Sequence, residues 1–393
     1  MTVSNRWLLP DGVDELLPPE AWSVEHMRRA MLDCYASFGY QLVTPPLIEF
    51  LDSLLTGTGN NLDLQTFKLT DQLTGRMMGV RADITPQAAR IDSHLLKTDH
   101  VNRLCYVDTV LHTRPAHMLT NRSPMQIGCE LFGESSAAAD LEIVSLMLET
   151  LRLAGIEQVH VDLAHVGIYR GLIANAKLGK TLEAKVFDAL SRKSIPELDQ
   201  LAEASGDGRN IITIVRDFAR LSGSTEALQA LRDRVEQLGD CDAVLQAIDA
   251  LQAFATQLAA RFPSVDLGFD FCELRGYDYH TGVMFAAYTP GYGDALAKGG
   301  RYDDVGKDFG RSRPATGFSA DLKYLARAAG KNGAGNNGGI LAPAGDDAEL
   351  LQKIAELRQT ERVVQRLSEN DSGTSGCDRQ LVKENNVWHV RPL

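Results

Sequence analysis

The sequence predicts an α+β protein that carries a helical insertion and ends in a small C-terminal α/β domain. Three observations support this. Strand-like runs and amphipathic helices mix as far as Ala164 and resume at Val265. Between them, residues 167–261 lose strand signals and repeat a helical period, which marks an inserted helical block. A glycine-rich stretch, residues 331–339, separates residues 1–330 from the short tail, residues 340–393.

In chain order, Leu9–Pro19 is a loop rich in Pro, Asp and Gly, and Glu20–Ser37 is a helix stopped at Gly39. An extended run, Tyr40–Thr44, meets Pro45-Pro46, which bars helix. Phe67–Thr70 and Arg76–Val80 read as a hairpin turned by Asp71–Gly75. Thr85-Pro86 opens a helix, with Thr85 as N-cap and Pro86 where a missing N–H costs nothing. Strands follow at Arg103–His112 and Pro124–Gly133, then a helix at Asp140–Ala154 and a strand at Val159–Ala164. The insertion holds helices at Lys180–Ser191, Ile195–Ala204, Ile211–Leu221, Thr225–Leu238 and Asp242–Ala260. Val265–Phe271 and Val283–Tyr288 are strands, and Gly317–Ala329 reads as a helix. The tail offers a strand start at Ile340–Leu341, a helix over Ala348–Leu367 and weak strands near its end.

The 393 residues suggest two or three domains. A hydrophobic fraction of 44% and a charged fraction of 23% exclude a disordered or low-complexity chain. The net charge of −12 argues against broad nucleic-acid binding, which needs basic residues to displace phosphate counterions. The six cysteines form no C-x-x-C pair, so neither a metal site nor a disulfide framework is expected, and the thiols read as buried and reduced. No leader or apolar stretch of membrane-spanning length is apparent, and a cytoplasmic protein without a membrane partner is expected.

Four clusters could carry chemistry. In Gly79–Pro86, a strand end delivers Arg81, Asp83 and Thr85 into a helix start, where an acid and a hydroxyl suit an ammonium group; a cap with a solvated Asp is the alternative. In Met125–Gly133, strand alternation puts Gln126, Gly128 and Glu130 on one face and Ile127, Cys129 and Leu131 on the other. That polar face either turns inward, needing a polar ligand or protein partners, or lies exposed. The segment Glu273–Gly282 packs Arg275, Asp278, Tyr279 and His280 together, and Arg275 could clamp a carboxylate. Gly299–Asp303 reads G-G-R-Y-D, whose glycines let backbone approach a ligand.

As a set, these four motifs resemble the catalytic core of histidyl-tRNA synthetase, a class II aminoacyl-tRNA synthetase, over roughly residues 8–330. Arg81–Thr85 is similar to its amino-group site, with Asp83 for Glu; Gln126 and Glu130 fall in its Q-L-G-C-E strand; Arg275–Tyr279 resembles its R-G-L-D-Y motif. Gly39–Glu49 resembles the class II dimer motif, with Pro46 at the motif proline. The resemblance implies an antiparallel sheet flanked by helices and a homodimer.

Two departures bear on function. His112 stands where the synthetase has the arginine that holds the α-phosphate, and Tyr324 stands at the arginine of the last motif. Fixed cations stabilise the pentavalent phosphate, and removing one such group typically costs about 2.7–4 kcal/mol. A mostly neutral His and a Tyr do not replace two guanidinium groups. The tail is also about half the size of an anticodon-binding domain and is acidic, with seven basic against nine acidic residues from Ile340 onward.

The combination is similar to a paralogous family, the regulatory subunits of ATP phosphoribosyltransferase. That resemblance implies no catalytic residue, no cofactor, no metal and no tRNA. It implies a partner, the short-form catalytic subunit, in a hetero-oligomer that makes phosphoribosyl-ATP and pyrophosphate in the first step of histidine biosynthesis, with histidine as effector. In the implied pocket Asp83 and Thr85 hold the ammonium, Arg275 faces the carboxylate, Gln126 and Glu130 read the imidazole, Tyr279 and His280 close the wall, and His112 lines the site. The alternative is an active histidyl-tRNA synthetase with altered phosphate ligands.

Overall fold

The structure, a computed structural model, describes residues 7–56, 60–115, 121–223, 225–272, 279–330, 338–371, 373 and 376–393. The chain divides into two compact units: Met1–Leu17 with Val24–Gly330, and Pro18–Ser23 with Lys331–Leu393. The glycine-rich residues 331–337 lie outside the described residues.

The chain opens with helix α1 (Glu20–Ser37), which buries Val24, Met27, Met31 and Tyr35 along one stripe of helical spacing. The strands β1 (Gln41–Leu42) and β2 (Ile48–Phe50) follow, separated by the two prolines. Short helices α2 (Leu51–Leu54) and α3 (Asn60–Gln65) lead to the expected hairpin of β3 (Phe67–Thr70) and β4 (Met77–Val80). These two strands and β2 form a small sheet in the order β2-β4-β3. Helix α4 (Thr85–Arg90) continues into a π-helical turn, Ile91–Leu96.

The main sheet begins with β5 (Asn102–Thr109) and β6 (Met125–Phe132), backed by α5 (Ala137–Leu153) and followed by β7 (His160–His165). The insertion then contributes α6 (Val166–Ala176), α7 (Lys180–Ser191), α8 (Ile195–Ala204), α9 (Arg209–Asp217), β8 (Ser222–Gly223), α10 (Thr225–Glu236) and α11 (Asp242–Arg261). The expectation of a strand-free insertion is corrected at β8, which pairs antiparallel with β9 (Asp266–Asp270). The sheet is completed by β10 (Val283–Tyr288), β11 (Ala297–Arg301) and β12 (Ala315–Asp321), and α12 (Leu322–Ala328) follows.

The strand order is β1-β5-β6-β12-β11-β10-β7-β9-β8. All pairs are antiparallel except β1 with β5 and β7 with β9. This is the helix-flanked sheet expected of a class II synthetase-like chain. One expectation fails inside it. Gly317–Ala329 is not one helix, because its first five residues belong to β12, buried between β6 and β11. The G-G-R segment is part of β11.

On one face α1 and α5 cover the sheet, burying Ile143, Val144, Met147 and Leu151 against Ile127, Cys129 and Leu131 of β6. Full burial of each such aliphatic side chain contributes about 1.5–3 kcal/mol. The Tyr35 hydroxyl, deep in this layer, is satisfied by Thr150 at 2.8 Å. On the opposite face Ile84, Ala88, Leu104, Tyr106, Phe132 and Tyr302 form a second, smaller core around α4.

In the second unit β13 (Ile340–Ala342) lies between β14 (Val363–Gln365) and β15 (Arg379–Glu384), with β16 (Val387–Pro392) at the edge. The helix α13 (Ala348–Leu357) supplies Leu350 and Ile354 to its core. The expected helix to Leu367 ends ten residues early: the β-branched Val363 and Val364 pair parallel with β13 instead. Five of the six cysteines are buried, and Cys34 is only partly buried.

Candidate functional site

The site is built on the face of β6 away from α5. Alternation along β6 sends Gln126, Gly128 and Glu130 to this face, and the Glu130 side chain is almost fully buried. Of the two sequence alternatives, the inward one holds. One Glu130 carboxyl oxygen accepts from the Tyr106 hydroxyl at 2.9 Å and from the Thr85 hydroxyl at 3.0 Å. The other accepts from the Tyr302 hydroxyl. Burial raises the Glu130 carboxyl to about 8; the three hydroxyl donors oppose that rise and nearby Asp83 adds to it. Burial likewise pushes the Tyr106 and Tyr302 phenols well above their usual range, with Glu130 beside them as the next cause.

The carboxyl has room because its neighbours lack side chains. A Cβ on Gly317, directly across on β12, would sit 1.6 Å from Glu130 Oε2. A Cβ on Gly128 would meet the Tyr106 hydroxyl at 2.6 Å. The glycines of these strands therefore leave the space that the Glu130 carboxyl and the Tyr106 hydroxyl fill.

Asp83 closes one side. Its Oδ1 accepts from Gln126 Nε2 at 2.8 Å and from the Thr85 backbone N–H at 3.0 Å. Gln126 Oε1 in turn accepts from the Ile84 N–H at 2.9 Å. Thr85 is therefore not the helix cap that the sequence suggested. Ile84 occupies the cap position without a side-chain bond, and the Thr85 hydroxyl is committed to Glu130. Asp83, Thr85, Gln126 and Glu130 thus form one connected hydrogen-bonded set.

Tyr279 and His280 follow β9 in the chain, with ring centroids 4.3 Å apart. Tyr279 also meets Tyr302 edge-on at 6.3 Å, which places it beside the Glu130 set. His280 is buried against Gly300 of β11. Arg275 lies outside the described residues. A His112 ring nitrogen lies 2.9 Å from the Ala82 carbonyl, so this ring is anchored to the Asp83 loop. Arg81, suggestive in sequence, is structural: fully buried, it donates to the Thr109 and Pro45 carbonyls and pairs with Asp108 at 2.8 Å. Sequence reading missed Tyr106 and Tyr302 as partners of Glu130. The signal for Tyr302 was present in the G-G-R-Y-D motif; Tyr106 sits in a strand buried on both faces, whose pattern does not distinguish its sides.

Around Tyr324, which meets Tyr292 edge-on at 5.7 Å, the neighbouring cations are already paired. Lys323 is buried and bonds Asp14 at 2.9 Å; Arg327 pairs with the same carboxylate, which this keeps below its ordinary range despite partial burial. Arg122 fixes the arm that carries Asp14, donating to the Asp11 carbonyl at 2.9 Å. Among the described residues no cluster of side chains could hold a metal ion, and no helix is long and apolar enough to cross a membrane.

The family model for histidyl-tRNA synthetase matches residues 12–325, so sheet, motifs and site define a chain of the class II synthetase type. A second model, the C-terminal domain of the ATP phosphoribosyltransferase subunit HisZ, matches residues 337–391. A relative from Marinobacter nauticus, named ATP phosphoribosyltransferase regulatory subunit, is 56% identical over the whole of both chains. The chain therefore belongs to the family of ATP phosphoribosyltransferase regulatory subunits. Two solved structures share its fold. One, from Bacillus halodurans C and described as an ATP phosphoribosyltransferase regulatory subunit/histidyl-tRNA synthetase, aligns with a TM-score of 0.82 at 23% identity, covering 94% of this chain and 95% of the other. A chain of the HisG:HisZ ATP phosphoribosyl transferase complex from Thermotoga maritima aligns with a TM-score of 0.59 at 19% identity, covering 75% of this chain and 96% of that one.

Proposed function

We propose that this chain is the non-catalytic regulatory subunit of an ATP phosphoribosyltransferase. It joins a short-form catalytic subunit in the cytoplasm, supports the transfer that makes phosphoribosyl-ATP from ATP and phosphoribosyl pyrophosphate, and confers feedback inhibition by histidine. It forms a homodimer through Gly39–Glu49 within the larger assembly, takes no tRNA and makes no adenylate. The observation that carries this reading is the fate of the phosphate-binding cations. His112 is tied to a backbone carbonyl, Tyr324 has replaced an arginine, and Lys323 and Arg327 are both engaged by Asp14. A carboxylate that already neutralises two cations leaves little positive field for a triphosphate.

The hydrogen-bonded set around Glu130 supports the same reading, because its polar groups suit an amino acid. Asp83 and Thr85 take the ammonium of histidine, Gln126 and Glu130 take the imidazole, Tyr279 and His280 form the wall, His112 lines the site, and Arg275 takes the carboxylate. A neutral Glu130 carboxyl can donate to an imidazole nitrogen as well as accept from it. Regulation requires that histidine bind two states of the assembly unequally.

The test is titration calorimetry with histidine on the wild-type chain and on Asp83→Ala and Glu130→Ala, together with histidine-dependent pyrophosphate exchange. Saturable binding that both substitutions weaken at least tenfold, without exchange, is the expected result. Exchange at synthetase-like rates would establish an active synthetase instead.

A further inference from the structure

The pocket loop also grips the segment that leads into β2. Arg81, two residues before Asp83, donates from its side chain to the Pro45 carbonyl at 2.7 Å and from its backbone to the Leu47 carbonyl at 3.0 Å. Gln87, two residues after Thr85, donates from one amide nitrogen to the Pro46 carbonyl at 2.9 Å and to Glu49 at 2.7 Å. Arg90, one turn further along α4, pairs with the same Glu49 oxygen at 2.6 Å. Three consecutive carbonyls and the Glu49 carboxylate are thus held from both flanks of the loop that carries Asp83 and Thr85. The gripped segment presents Leu47 and Ile48 outward, each 44% exposed.

The junction is tight but not fully satisfied. Gln87 is 2% exposed, yet its Oε1 has no hydrogen-bond partner among the described residues, and the buried Arg90 Nε is in the same condition. A buried polar atom left unpaired costs free energy, so a rearrangement that pairs these atoms has a driving force. Helix α4 is the lever, with Thr85 in its first turn on the pocket and Gln87 and Arg90 on the segment.

We infer that Gln87 and Arg90, acting through Glu49, are positioning residues that transmit occupancy of the Asp83–Thr85 pocket to residues 45–50 and so set the response to histidine rather than its affinity. This inference rests on the proposed reading of the pocket as a histidine site. Coupling free energies of this kind change apparent affinities about 5–150-fold.

The experiment uses the full chain, alone and reconstituted with a short-form catalytic subunit, in wild-type form and as Gln87→Met, Glu49→Gln and Arg90→Lys. Calorimetry gives histidine affinity on the chain alone; turnover at rising histidine gives the response of the complex. Gln87→Met and Glu49→Gln are expected to bind histidine within about twofold of wild type and to lose at least about fivefold of the histidine-induced change, with Arg90→Lys retaining part of it. Should Gln87→Met fail to fold, the nearly isosteric Glu49→Gln carries the test. Full inhibition in Glu49→Gln, or a matching loss of affinity on the chain alone, overturns the inference while leaving the pocket intact. Absence of histidine binding to the wild-type chain is a different result, and removes the pocket reading and this inference together.

Discussion

Glu130 is a carboxyl governed by its surroundings. Its folded value of about 8 lies above the ordinary Glu value of about 4.3, so folding favours the protonated form. The sign follows: this contribution to stability is fully present below about pH 4, declines as pH rises, and is gone above about pH 8. Glu130→Gln, neutral at every pH, should therefore gain melting temperature relative to wild type between pH 5 and 8.5; parallel curves across that range would contradict the assignment. Arg81 illustrates the opposite outcome. Its buried side chain satisfies two carbonyls and an aspartate, so Arg81→Leu should destabilise the chain by roughly 3 kcal/mol in urea unfolding. The polar face of Gln126 and Glu130 was legible from alternation alone. What closes around it was not, because Tyr106 on β5 and Tyr302, just after β11, lie 24 and 172 residues from Glu130 in sequence.

The elements that sequence reading placed well are those with a one-sided apolar pattern. Helix α1 matches its expected bounds because its buried stripe alternates with solvated positions, and β3 with β4 because turn residues punctuate them. β12 escaped because a central strand covered on both faces has no alternation, and because Ala and Gly in Ala315–Asp321 carry little strand propensity; β11 escaped because Gly299 and Gly300 carry as little. The small residues there are required by packing. Gly317→Ala would press a methyl group into Glu130 Oε2 and to within 2.8 Å of the Cys129 carbonyl. It should cost about 1–3 kcal/mol in chemical denaturation and abolish histidine binding in calorimetry. In the second unit the Asp347 carboxylate accepts from the Glu349 and Leu350 N–H groups at 2.8 and 3.0 Å. Asp347→Ala should therefore loosen α13 by about 1 kcal/mol, read as faster amide exchange in Ala348–Leu357 with the main sheet unchanged.

At the scale of the whole molecule, the proposed reading is a synthetase-type sheet that keeps an amino-acid side and lacks a nucleotide side. It rests on two exchanges inferred from the resemblance, His112 and Tyr324 for cations, and on one N-terminal carboxylate, Asp14, that engages Lys323 and Arg327. The exchanges were readable in sequence by comparison with a family pattern; the role of Asp14 was not, because 309 residues separate it from Lys323. The most direct measurement is turnover of phosphoribosyl-ATP by a short-form catalytic subunit, with and without this chain, at zero and saturating histidine. The account predicts activity that rises on adding the chain and falls again with histidine. A catalytic subunit whose rate is the same in all four conditions would contradict it.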